Sequence, residues 1–196
     1  MSRITFRASA YEVKVPATSA NLGPGFDCFA LALEKRDRYI AQVIDEKELD
    51  LDVVGEGADE VPRDEKNLLV KSIYKGWEFL GLTKKEYPGL ALRALNNLPH
   101  GRGLGSSASA IIGGLILARS LVVGGVDRMN DNDVLTLATE MEGHPDNVAA
   151  ALHGGAVISW LGNEFADAIK LEVSPRINAV AFIPSNHVPT SKARKM

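Results

Sequence analysis

Pro99 to Ala110 reads PHGRGLGSSASA. Glycines alternate at Gly101, Gly103 and Gly105, and two serines, Ser106 and Ser107, follow at once. The long apolar run Ala108 to Val123 comes next, with Ile111, Ile112, Leu115, Ala118 and Val122 at helical spacing. The pattern is a glycine loop opening a helix. Glycine tolerates positive φ and has no Cβ, so such a loop lets backbone N–H groups approach an anion. The helix start adds unpaired N–H donors and a partial positive charge, and a phosphate is the natural guest. Ser106 and Ser107 have three open roles: capping the helix, binding phosphate oxygens, or supporting Mg2+. On this reading Gly105→Val puts a side chain where phosphate must approach.

Two other phosphate loops fit less well. A Walker A loop needs a lysine before its Ser/Thr, and Gly105 stands there. Gly103 to Ala108 fits G-x-G-x-x-A, but the acid that follows, Asp127, comes after Gly124-Gly125-Val126 rather than at the end of a strand.

Working outward, Tyr11, Val13 and Val15 alternate with polar residues and predict a strand that Pro16 ends. Asn21, Gly23, Pro24, Gly25 and Asp27 make a polar, turn-rich loop before the apolar Phe29 to Leu33. Arg38 to Ile44 and Leu49 to Val54 predict a hairpin across Asp45 to Glu48. Asp64 is a candidate cap for a helix from about Glu65 to Leu80, with Leu69, Ile73, Trp77 and Leu80 on one face. Asn67 falls in its first turn. A strand, Gly89 to Ala94, leads into the glycine loop.

Beyond the long helix, Gly124-Gly125 is a stop, and Asp131 or Asn132 starts another helix to about Met141. Glu142, His144, Asp146 and Asn147 then share one corner, with Pro145 suited to a first helical turn. A metal site, a substrate site and a capped corner are all compatible with it. No second His stands at i+4 and no Cys is near, so a dedicated transition-metal site does not fit. Ala156 to Trp160, Ile169 to Val173 and the nearly all-apolar Asn178 to Ile183 predict strands, the last needing cover on both faces.

Three stretches together resemble the GHMP kinases, the family of galactokinase, homoserine kinase and mevalonate kinase. P-x-x-x-G-L-G-S-S-A stands complete from Pro99 to Ala108, VPATSANLGPGFD runs from Val15 to Asp27, and EGHPDN runs from Glu142 to Asn147. The second and third resemble the homoserine kinases within that family. The resemblance implies an α+β fold, the ribosomal S5 domain 2-like N-terminal domain of these kinases, over residues 1–173. Residues 174–196 would begin a second domain that is incomplete here, because the family's third glycine-rich motif does not occur. It implies ATP and Mg2+ as cofactors and L-homoserine as the small-molecule substrate.

It also implies roles by position. Pro99, His100, Gly101, Arg102, Gly103, Leu104, Gly105, Ser106 and Ser107 would wrap the ATP phosphates. Asn67 would sit near the adenine, or simply start its helix. Ser107 and Glu142 would hold Mg2+, with Glu140 as the alternative carboxylate. Asn21, Asp27, His144, Asn147 and Arg194 would bind substrate, the arginine lying in the family's T-x-x-A-R at Thr190 to Arg194. Asp27 either takes the hydroxyl proton or orients the hydroxyl. Another small-molecule kinase of the family and a catalytically silent nucleotide-binding chain remain alternatives.

Composition bounds these readings. The 196 residues are 45% hydrophobic, enough for a packed core. A net charge of −3 argues against a nucleic-acid face. A single cysteine, Cys28, fits a reducing cytoplasm. No charge-free apolar run reaches membrane-spanning length, and a homodimer is compatible with the composition.

Overall fold

The computed structural model describes residues 4–163 and 165–183. Strands β1 (Tyr11–Ala20), β2 (Phe29–Ile44), β3 (Leu49–Gly55), β4 (Gly89–Asn96), β5 (Ala156–Leu161) and β6 (Ala166–Leu171) form one mixed sheet. Helices α1 (Leu68–Phe79), α2 (Ser106–Ser120), α3 (Gly125–Arg128), α4 (Asp131–Glu142) and α5 (Asp146–His153) complete the expected α+β fold. α2 and α5 pack on β1 and β2, α4 reaches β6, and α1 lies along α2. The opposite sheet face is charged, with Arg38 on Glu12 (2.6 Å) and Arg93 on Asp52 (3.3 Å).

Long β2 anchors the sheet. It pairs antiparallel with β1, with β4 over Arg38–Ile44 and with β5 over Phe29–Leu31. β1 does not end at Pro16. The register shifts between Pro16 and Thr18, and pairing resumes through Ala20. Proline has no N–H for the ladder, so the strand bulges there instead of stopping.

The expected hairpin of residues 38–44 with 49–54 does not form. β4 lies between the two strands, and β3 pairs parallel to β4 from Leu49↔Leu90 to Gly55↔Asn96. The segment is a β3–α1–β4 crossover, and α1 packs along α2. Trp77 of α1 is fully buried, donates Nε1–H to Ala118 O (3.2 Å) and meets the rings of Phe6, Tyr74 and Tyr87.

Two helix starts differ from expectation. α1 begins at Leu68 because Asn67, not Asp64, is its cap: Asn67 Oδ1 accepts from Leu69 N–H at 3.0 Å. Asp64 instead accepts from Lys66 N–H in the preceding turn. α2 is capped by Gly105 in the left-handed region (φ 67°), so neither serine is the cap and both sit inside the first turn. α2 is buried on several sides and runs through the core, as its largely apolar sequence requires.

The last expected strand is also absent. Residues 178–183 form no strand and are exposed, Phe182 at 92%. They pair with no strand among the described residues, so their apolar composition alone does not make a strand. β6 likewise sits earlier than expected, ending at Leu171.

Candidate functional site

The loop between β4 and α2 holds Gly101, Gly103 and Gly105 all at positive φ (64°, 69° and 67°). Its approach is clamped from below. Asp37 of β2, 2% exposed, accepts from the N–H groups of Asn97 (2.6 Å) and Leu98 (3.0 Å) and from the Ser109 hydroxyl (2.9 Å). Tyr39 donates to the same carboxylate at 3.0 Å. Burial, and then the Asp37 charge, hold the Tyr39 hydroxyl well above the usual tyrosine range, so it stays a donor. One carboxylate thus ties the strand entering the loop to the helix leaving it.

Beside the loop lies a cavity of about 300 Å³, within the size range of small-molecule sites. Asn67, Lys66, Val61, His100, Ser106 and Ser107 are among its walls. Asn67 lines it while both ends of its amide serve the backbone: Oδ1 caps α1 and Nδ2 donates to Pro62 O (2.8 Å). Leu104 turns its side chain into a small core with Ala17 and Leu98, so only its backbone faces the loop.

On the other side of the loop, Ser107 Oγ donates to Glu142 Oε2 at 2.6 Å. Glu142 ends α4, and Gly143 (φ 91°) turns the chain toward α5. Glu140 points elsewhere, to Lys75 Nζ at 3.2 Å. A hydroxyl and a carboxylate side by side at a helix start form a hard-oxygen donor set, which fits Mg2+.

The EGHPDN corner is built around Asp146, which is fully buried. Its Oδ1 accepts from Asn147 N–H (2.6 Å) and lies 2.6 Å from His144 Nδ1; its Oδ2 accepts from Asn21 Nδ2 (3.3 Å). A carboxylate accepts only, so His144 carries its proton on Nδ1 toward Asp146. Asn21 Oδ1 in turn accepts from Asp27 N–H at 2.9 Å. Asn21 (φ 59°) and Asp27 (φ 55°) are the two non-glycine residues with positive φ among the described residues. Asn and Asp bear that conformation best, and such strain concentrates at functional sites. One ligand atom each of Asp27, His144 and Asp146 lies within 4.8 Å of the others.

Of the residues expected from sequence, Asn21, Asp27, His144 and Asn147 therefore meet in one place, and Ser107 meets Glu142. Arg194 lies outside the described residues. Asp146, Thr18 and Asp37 had no assigned role. Asp146 stood inside the quoted corner, where a buried acid between His and Asn was its signal. Asp37 offered none, because the groups that it clamps, the N–H groups of Asn97 and Leu98 and the Ser109 hydroxyl, lie 60 to 72 residues away.

Residues 67–155 match the family described as GHMP kinases N terminal domain. Over those residues, a little under half of its length, the chain is similar to the GHMP kinases. The curated relatives that it matches include homoserine kinases. The Streptomyces coelicolor homoserine kinase is 48% identical over 194 residues, 99% of this chain and 62% of the relative. The Cutibacterium acnes enzyme is 44% identical over 188 residues, 96% and 63% respectively. The crystal structure of a homoserine kinase from Cytophaga hutchinsonii superposes with a TM-score of 0.78 at 28% identity, covering 100% of this chain and 62% of that one. Methanococcus jannaschii mevalonate kinase shares the fold (TM-score 0.60, 18% identity, 85% and 57% covered). The chain spans about 62% of the length of the first of these curated relatives.

Proposed function

We propose that this chain forms the ATP-binding and acceptor-positioning part of a kinase that phosphorylates the side-chain hydroxyl of L-homoserine, giving O-phosphohomoserine for threonine synthesis in the cytoplasm. The observation that carries the reading is the meeting of two sites at Thr18. Its N–H donates to Leu104 O of the glycine loop (3.0 Å), and its hydroxyl donates to Asn147 Oδ1 of the EGHPDN corner (2.7 Å). A phosphate loop and a polar pocket held by one residue suit a phosphoryl donor beside its acceptor.

In the reaction the homoserine oxygen bonds to the γ-phosphorus, the bond to the bridging oxygen breaks, ADP leaves and the hydroxyl proton is lost. Phosphoryl transfer asks mainly for positioning and charge neutralisation. The loop N–H groups and the start of α2 face the phosphates. The ring of His144 and the carboxylate of Asp27 suit the ammonium and hydroxyl of an amino acid, and Arg194 would pair with its carboxylate. Asp27 takes the proton or orients the hydroxyl. Ser107 and Glu142 would hold Mg2+, which supplies charge neutralisation between the phosphates. Residues 1–173 would be the ATP-binding domain and 174–196 the beginning of a second one.

The test is ADP release by the product of the complete reading frame with L-homoserine, mevalonate and shikimate as acceptors. Turnover on homoserine at least ~10-fold above the others is expected, the low end of what a single missing group discriminates. Preference for mevalonate or shikimate, or nucleotide binding without turnover, overturns the reading.

The metal assignment has its own test. Glu142→Gln should raise the Mg2+ concentration for half-maximal activity about tenfold or more, whereas Glu140→Gln should leave it unchanged. The reverse order would assign the metal to Glu140.

A further inference from the structure

We propose that Thr18 is a positioning residue, one that fixes which end of the Asn147 amide is offered to the ligand. The inference rests on the kinase reading above for its kinetic consequence, though not for its geometry.

Thr18 lies where β1 resumes after the bulge at Pro16, and it is completely buried. Its hydroxyl donates to Asn147 Oδ1 at 2.7 Å. At the other end of the amide, Asn147 Nδ2 donates to Asp146 Oδ1 at 3.3 Å, and the Asn147 backbone N–H donates to the same oxygen at 2.6 Å. The carboxylate has no hydrogen to give, so the Nδ2 end must face Asp146. The Oδ1 end is thereby turned to Thr18, whose hydroxyl has a hydrogen to give.

An amide held at both ends has one orientation. With one Oδ1 lone pair taken by Thr18 and one Nδ2 hydrogen committed, the donor left to offer is the second Nδ2 hydrogen. Asn147 is half-buried, so that hydrogen is within reach of a ligand. A donor of this kind suits an oxygen, either the acceptor hydroxyl as it gains negative charge or a carboxylate, and does not suit an ammonium. Thr18 also holds Leu104 O through its own N–H, so the amide is set in register with the phosphate loop. The hydroxyl is separable from packing: Thr18 adjoins Ala17, which packs with Leu98 and Leu104, and valine has nearly the same shape as threonine.

The experiment combines kinetics with side-chain amide NMR on the product of the complete reading frame. Thr18→Val should keep the fold, lower kcat with homoserine by ~10–100-fold and leave the KM for ATP within about threefold. Thr18→Ser should restore kcat. In an Asn147→Ala background Thr18→Val should cost nothing further, because the group it positions is gone. Independently of turnover, the two side-chain amide hydrogens of Asn147 should be resolved and slow to exchange, and should shift or merge in Thr18→Val. Wild-type kcat with unshifted Asn147 signals in Thr18→Val overturns the proposal, as does full additivity with Asn147→Ala. If the unaltered protein phosphorylates no alcohol, the kinase reading fails and the Asn147 signals alone decide the positioning role.

Discussion

Asp146→Ala should lower kcat/KM for homoserine by about 10²–10³-fold, the cost of removing a buried charged acceptor shared by several donors. Three groups expected to face the substrate lean on this one carboxylate. His144 donates from Nδ1, Asn147 from its backbone and side chain, and Asn21 from its amide. Without it His144 loses the contact that sets its tautomer, and the loop at Asn21 and Asp27 loses its tie to α5. Nucleotide affinity should stay within about threefold, because the links between the phosphate loop and this corner, Thr18 to Asn147 and Ser107 to Glu142, do not run through Asp146. Asp146→Asn is the sharper variant. It keeps the volume, yet its NH2 must face either Asn21 Nδ2 or the hydrogens of His144 and Asn147, so a donor meets a donor. A folded Asp146→Asn with unchanged KM and kcat for homoserine would show that the carboxylate is a helix cap and nothing more. Equal losses for ATP and homoserine would point to general disorder of the domain.

The sequence made local things legible and non-local ones not. The glycine loop and central helix were readable because each signal lies within about 20 residues: alternating glycines, then a long, mostly apolar run. The polar corner was readable only through family resemblance, since Asn21 and Asp146 meet across 125 positions. Strand partners were misjudged where chain proximity competed with packing. Arg38 to Ile44 and Leu49 to Val54 look like a hairpin, but β4 takes the place beside β2 and β3 pairs parallel to β4 across the α1 crossover. Pro16 looked like an end because proline breaks a ladder, and the chain instead spends one bulge and continues. Phe182 and Val180 looked like a core strand from composition, yet they are exposed with no strand partner among the described residues. The same bulge that hid the second half of β1 is what brings Thr18 under the loop.

Gly105→Val should abolish both ligands' productive binding, lowering kcat/KM by about 10³-fold or more, which corresponds to ~4 kcal/mol. The expectation from sequence was a side chain standing in the phosphate's path. The structure supplies a different cause. Gly105 holds φ 67° as the cap of α2, and a Cβ built there runs into Thr18 Oγ1 and lies 3.3 Å from Asn147 Oδ1. Valine therefore pays about 1–2 kcal/mol for left-handed backbone and also displaces the hydroxyl that joins the loop to the corner. Losses should consequently appear for homoserine as well as for ATP, unlike the one-sided loss expected from Asp146→Ala. The cause can be isolated with smaller changes. Gly105→Ala introduces the Cβ alone, and Thr18→Ala removes the group it strikes. If the clash with Thr18 is the cause, Gly105→Ala should cost markedly less in the Thr18→Ala background than in the unaltered protein, a non-additivity of the kind neighbouring residues show. Strictly additive losses would return the blame to backbone strain or to a blocked phosphate. A correctly folded Gly105→Val with unchanged ATP affinity would reduce the whole stretch from Gly101 to Gly105 to an ordinary turn.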